Sequence, residues 1–268
     1  MKVYAASVLL YAFSLEETLQ IARELGYDGV EVWHYHLLAS KESPAKLRQL
    51  AQELNLSLSL HALSWDLNFT SQLPGVRESS LELLMSSIDV AAELGANPVI
   101  VHPGRITAPN DDPELYWPLL IDGVTRLARH SASRGINLSM EVMEHIPKEF
   151  FITPSDANRL LSAVEADNVA ITFDAAHVPW DIQPLAYLTQ LARVDHVHIS
   201  DANAGKIHLP LGNGERDFRP LLRYVSHQMS ACITIEGMEY SRTTALAKRN
   251  KEQYDLLLRQ SDSDYPLI

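Results

Sequence analysis

The sequence predicts an α/β protein folded as a single (β/α)8 barrel. Eight short apolar runs alternate with eight longer amphipathic stretches, the pattern of parallel strands joined by crossover helices. No strand-like run leads into a G-x-G-x-x-G loop, so the usual mark of an open nucleotide-binding sheet is missing. The chain has 268 residues with no linker and no break in composition. That length suits one barrel, and one domain is expected over residues 1–268.

Strands are expected at Val3–Leu9, Gly29–Val32, Ser57–Leu60, Pro98–Val101, Asn137–Met140, Val169–Phe173, His196–Ile199 and Cys232–Ile235. The intervening helices are expected at Leu15–Leu25, Pro44–Leu54, Val76–Leu94, Pro113–Arg134, Pro154–Val164, Pro184–Leu191, Phe218–His227 and Thr243–Arg259. Some boundaries are set by local chemistry. Ser14 with Glu17 three residues on reads as a capping box, in which each side chain satisfies the other's backbone N–H. Gly26, Gly95 and Gly135 each follow a helix-like stretch, where a left-handed cap is expected.

Lys2 followed by the apolar run Val3–Phe13 has the outline of a signal peptide. The polar Ser7 inside it, and the acidic helix start right after it, favour a buried first strand instead. The one cysteine, Cys232, lies in an apolar run and has no internal partner for a disulfide. It is expected in the core, and a reducing, cytoplasmic setting fits. The formal net charge is −12. That weighs against a phosphate backbone or an anionic membrane surface as partner, since both are gripped by basic faces. No apolar run has the roughly 20 residues needed to span a bilayer.

Chemistry concentrates at the C-terminal ends of the strands. The second strand ends near Glu31, the third near His61, the fourth near His102 and the fifth near Glu141. The sixth ends near Asp174, the seventh near His198 and the eighth near Glu236. In a barrel these ends meet at one mouth, where active sites are built. One histidine of this kind is more often a satisfied core or loop residue than a ligand, but the set as a whole points to a metal. Carboxylate with imidazole suits Mn²⁺, Zn²⁺, Co²⁺ or Fe²⁺, and suits Mg²⁺ less well. A single cysteine excludes a thiolate-rich structural zinc.

The segments "LGYDGVEVW", "VIVHPG", "LSMEVM", "FDAAH", "HVHISDAN", "HLPLGNGERDF" and "TIEG" span nearly the whole chain. In them the sequence resembles the xylose-isomerase-like TIM barrel family, which includes sugar and sugar-phosphate isomerases and epimerases and also endonuclease IV. The resemblance implies that Glu141, Asp174, His198 and Glu236 hold one divalent metal ion. It implies that Glu141 and Glu236 act as acid and base on a ketose or related hydroxy-carbonyl compound, with His177 touching substrate. In the endonuclease branch, the matches of His61 and His102 complete a second metal site with Glu141, and those of His177 and His208 serve a third. His61, His102 and His208 therefore stand as ligands of a second ion or as substrate contacts. One departure counts against the endonuclease pattern. The carboxylate expected two residues before His208 is here Lys206, a cation that repels a metal. Glu31, Trp33, Arg105 and Lys206 are expected to bind substrate, the last two through an anionic group. Trp65 and Trp180 also follow strands and are open to a role in walling a sugar pocket. The favoured reading is a metal-dependent sugar isomerase or epimerase. A zinc phosphodiester hydrolase on abasic DNA and a metal-dependent lyase are the rivals.

Overall fold

Runs rich in Val, Ile and Leu form the barrel wall, because strands covered on both faces bury every side chain they carry. The wall strands are β1 (Val3–Ala6), β2 (Gly29–Trp33), β3 (Ser57–His61), β4 (Val99–Val101), β5 (Leu138–Glu141), β6 (Val169–Asp174), β7 (Val194–Ile199) and β10 (Cys232–Ile235). The computed structural model describes residues 1–263. The expected domain runs to residue 268, and residues 264–268 lie outside the described ones. The strands pair in parallel and close in the order β1-β10-β7-β6-β5-β4-β3-β2. Their C-terminal ends consequently open at a single mouth.

Helices α1 (Leu15–Glu24), α3 (Pro44–Glu53), α4 (Pro74–Leu94), α5 (Trp117–Ser133), α6 (Pro154–Val164), α7 (Pro184–Leu188), α8 (Arg219–Gln228) and α9 (Ala245–Ser263) link or follow the strands. The capping box at α1 forms as the spacing predicts. Ser14 Oγ accepts from Glu17 N at 3.1 Å, and Glu17 Oε2 accepts from Ser14 N at 2.9 Å. Gly95 closes α4 at φ 69°, a left-handed geometry that other residues adopt at a cost. No helix of the described residues is long and apolar enough to cross a membrane.

Four elements depart from the sequence expectation. The first strand stops at Ala6 and becomes a 3-10 turn over Ser7–Leu10. Ser7 Oγ accepts from Trp33 N there at 3.0 Å, which bends the chain over the mouth. The expected helix Pro113–Arg134 is interrupted at Tyr116, because Pro118 suits a first turn and cannot donate to a preceding one. A short helix α2 (His34–Ser40) directly follows β2. It is anchored by His34 on Ser87 Oγ at 2.8 Å and by His36 on the Phe13 carbonyl at 2.9 Å. An antiparallel hairpin of β8 (Asp201–Asn203) and β9 (Lys206–Leu209) rises beyond β7.

Gly29 is required by contact. A Cβ there would sit 2.5 Å from the Ser57 carbonyl oxygen and 2.6 Å from the Tyr4 ring. Gly29→Ala is expected to destabilise the protein by about 1–3 kcal/mol through overpacking. Urea denaturation would show this as a lower midpoint. An unchanged midpoint would mean that β2 absorbs the methyl without strain.

Candidate active site

Register decides which acidic and imidazole groups reach the mouth. Trp33 pairs with His61 across β2 and β3, whereas Glu31 pairs with Ser59, one pleat deeper. Asp174 pairs with His198, and His198 with Thr234. Glu141 ends β5, and His102 and Glu236 directly follow β4 and β10. The structure thus brings His61, His102, Glu141, His177, His208 and Glu236 around one cavity of about 370 Å³, with Trp33, Trp65 and Arg105 also in its lining.

Glu141 lies at the centre. Its Oε1 is 3.2 Å from His198 Nδ1, and its Oε2 is 3.0 Å from His102 Nε2 and 3.7 Å from His61 Nε2. Glu236 Oε1 approaches the same His198 Nδ1 at 3.1 Å. Donor atoms of Glu141, Asp174 and His198 lie within 4.8 Å of one another, and so do those of His61, His102 and Glu141. Glu141 Oε2 and Asp174 Oδ2 are buried without a hydrogen-bond partner. Orphaned buried carboxylate oxygens are costly unless a cation joins them, so this donor set fits a divalent ion. Each ring presents the right nitrogen. The His61 Nδ1–H donates to the Ala62 carbonyl at 2.9 Å, leaving Nε2 for a ligand role. In His198 the order reverses: Nε2 lies 3.1 Å from Glu31 Oε2, and Nδ1 faces the carboxylates.

Glu31 corrects a sequence expectation. It is fully buried and does not line the cavity. Its Oε2 takes hydrogen bonds from His196 at 2.7 Å, from His198 at 3.1 Å and from Thr234 Oγ1 at 3.1 Å. The sequence located it at a strand end, but β2 runs on past Glu31 to Trp33, one residue beyond the expected end. Glu31 therefore lies against His198 Nε2, beneath the cavity and outside its lining. Glu31→Gln is expected to weaken metal binding about 10- to 100-fold. Competition with a chromophoric chelator would measure it, and unchanged affinity would reduce Glu31 to a packing residue. Below it, His196 Nδ1 meets Cys232 Sγ at 2.9 Å, so the cysteine expected in the core is half-buried at the opposite barrel end.

Lys206 is the second correction. It is exposed on β9 and absent from the cavity lining. Its neighbour His208 reaches in, with Nδ1 3.0 Å from Ser200 Oγ and 3.7 Å from Glu236 Oε2. Arg105 is at the cavity but is already paired, its Nε 2.5 Å from Glu149 Oε1. Trp33 stacks on His61 with ring centres 4.1 Å apart. Trp65 is part of the wall, whereas Trp180 sits outside the lining under Arg216.

His177 donates Nδ1–H to the Val142 carbonyl at 2.9 Å and points Nε2 at Asp174 Oδ2, 3.3 Å away, and Glu144 Oε2, 3.5 Å away. Burial disfavours its charged form, but the charges of Asp174, Glu141 and Glu144 prevail and raise its pKa to about 9. Burial also pushes Glu236 well above the usual carboxylate range. Burial acts on Glu141 in the same sense, yet the charges of His198 and His102 outweigh it and hold Glu141 well below that range. Sequence reasoning missed Glu144, Glu149 and Ser64. The two glutamates stand in "EVMEHIPKEF", right after the fifth strand, where acidic residues of a strand–helix loop were there to be weighed.

A family model described as xylose isomerase-like TIM barrel matches residues 19–258. The chain belongs to that family. It is 22% identical over 265 residues to the fructoselysine 3-epimerase of Shigella flexneri, covering 92% of this chain and 95% of that protein. It is 26% identical over 210 residues to the L-ribulose 3-epimerase of a Methylomonas species, covering 74% and 68%. A solved D-tagatose 3-epimerase-like protein superposes with a TM-score of 0.85 at 25% identity, covering 98% of this chain and 99% of the other.

Proposed function

We propose that the chain is a metal-dependent sugar isomerase or epimerase acting on a ketose or related hydroxy-carbonyl compound. The observation that carries this reading is the pair Glu141 and Glu236, whose carboxylates both flank His198 Nδ1, at 3.2 and 3.1 Å. They come from β5 and the end of β10, which β6 and β7 separate in the wall, so they approach a bound substrate from different sides. Their environments drive their proton affinities apart, the usual mark of an acid–base pair. The 3-epimerase relatives support the same reaction type.

Glu141, Asp174, His198 and Glu236 would hold the ion, with Mn²⁺, Zn²⁺, Co²⁺ or Fe²⁺ suited to the donors. A divalent ion there supplies positive charge beside the carbonyl and hydroxyl oxygens, which eases removal of the neighbouring C–H proton. The carboxylate of one glutamate takes that proton and leaves an enediolate. The carboxylic acid of the other returns a proton to the opposite face, so the carbon is inverted and the two glutamates have exchanged protonation states. His177 Nε2 orients or protonates a substrate oxygen. Trp33 and Trp65 wall the sugar.

One observation favours a phosphodiester hydrolase instead: the second donor group of His61, His102 and Glu141. Against it stand the exposed Lys206 and the net charge of −12. Incubating the metal-loaded protein with a ketose panel in D₂O separates the two. Deuterium at the carbon next to the carbonyl, together with a new epimer, is the expected NMR result. No exchange on any ketose, with cleavage of abasic-site DNA, would sink the proposal.

A further inference from the structure

Behind Arg105 lies a side chamber that the reaction as described does not use. Its polar end is formed by Ser64, His102, Arg105 and Glu149, and its apolar wall includes Leu67 and Phe69. Ser64, His102 and Arg105 also line the central cavity, so the two spaces adjoin. The chamber offers about 20 Å³ to the centre of a water-sized group, enough for one water or one hydroxyl.

Two of its polar atoms lack partners. Ser64 Oγ and Glu149 Oε2 are both buried without a hydrogen bond. The Glu149 side chain is 1% exposed, and its other oxygen is held by Arg105 Nε. The Arg105 backbone is fixed in turn: its N–H donates to Asn68 Oδ1 at 2.9 Å, and its carbonyl accepts from Thr70 Oγ1 at 3.0 Å. The arrangement is rigid and incomplete. A hydroxyl placed there donates to Glu149 and accepts from Ser64, satisfying both atoms.

We propose that this chamber is a subsite for one free hydroxyl at the substrate end on the Arg105 side of the cavity, and that the substrate is therefore an unphosphorylated ketose. The inference rests on the ketose reading above and sharpens its substrate class. The Arg105 charge is balanced on its Nε side by Glu149, so an anion placed beside it meets an ion pair and not a lone cation. Lys206 stands outside the cavity. A terminal phosphate is too large for the chamber and would set negative charge against Glu149.

The test uses calorimetric binding and turnover on the metal-loaded protein. The probes are the best bound of the four D-2-ketohexoses, its 6-deoxy analogue and its 6-phosphate. Wild type is expected to bind the parent sugar about 10- to 100-fold more tightly than the 6-deoxy sugar, because the latter leaves two buried polar atoms unpaired. The phosphate is expected to bind more weakly than the parent. Ser64→Ala removes a single oxygen and no ion pair, and should narrow the deoxy ratio to about threefold or less. Glu149→Gln should narrow it as well. Equal affinity for parent and deoxy sugar in wild type would overturn the subsite and leave the chamber to a trapped water. Preference for the phosphate would overturn it too. A preserved ratio without any turnover would sustain the subsite while sinking the epimerase reading, and no binding of any ketohexose would overturn both.

Discussion

Glu236→Gln is expected to lower kcat about 10²- to 10⁴-fold, the range for loss of a general acid or base. The amide keeps the shape of the side chain and an oxygen beside His198 but cannot carry a proton back and forth. The fold should survive, because Glu236 lies just past the end of β10 and the barrel wall does not depend on it. Stability should in fact move the other way. Burial raises the Glu236 pKa well above its ordinary value, so the unfolded chain ionises first as pH rises. Below the unfolded pKa the group costs nothing. Above it, the metal-free fold is progressively penalised, until the folded group ionises too. Glutamine has no such penalty. The metal-free variant should therefore melt above wild type at pH 7 to 8 and level with it near pH 4. Turnover close to wild type with metal bound would remove Glu236 from the chemistry. A lower melting temperature at neutral pH would show that its carboxylate stabilises the mouth.

The barrel was legible because parallel strands buried on both faces are mostly apolar, and eight such short runs alternate here with amphipathic stretches. The proposed metal donors stood out for a related reason: Glu141, Asp174, His198 and Glu236 interrupt or end runs that are otherwise mostly apolar. Depth was not legible. Glu31 and His61 look alike in sequence, each near the end of a short run, but it is Trp33 that pairs with His61, which leaves Glu31 in the layer beneath His198. The hairpin of β8 and β9 is short, and its alternation sets Lys206 and His208 on the same face, so nothing showed that His208 would line the cavity and Lys206 would not. Arg105 read as a free cation because its partner lies 44 residues away, in a different loop.

Chelation is expected to abolish activity while leaving the circular dichroism spectrum nearly unchanged. The reason is scale: buried apolar side chains of strands and helices surround the whole barrel, and a core of that size folds without an ion, unlike a small zinc domain. Stability should still fall, since an ion that binds only the folded state adds about 2.7 kcal/mol at a hundred times its Kd. In a chain of this length that corresponds to a melting temperature about 5–10 °C lower. Elemental analysis before chelation should give one tightly held ion per chain, or two, but not three. The first donor group has Glu141, Asp174 and His198 with Glu236 alongside. The second group, His61 and His102, must share Glu141 with the first. A third group of Asp174, His177 and His208 has no carboxylate of its own: it borrows Asp174 from the first, and Lys206 takes the place where another acid would stand. Cooperative unfolding on chelation would refute the expected independence of fold and ion. Three tightly bound zinc ions, with cleavage of abasic DNA, would move the protein from sugar chemistry to phosphodiester hydrolysis.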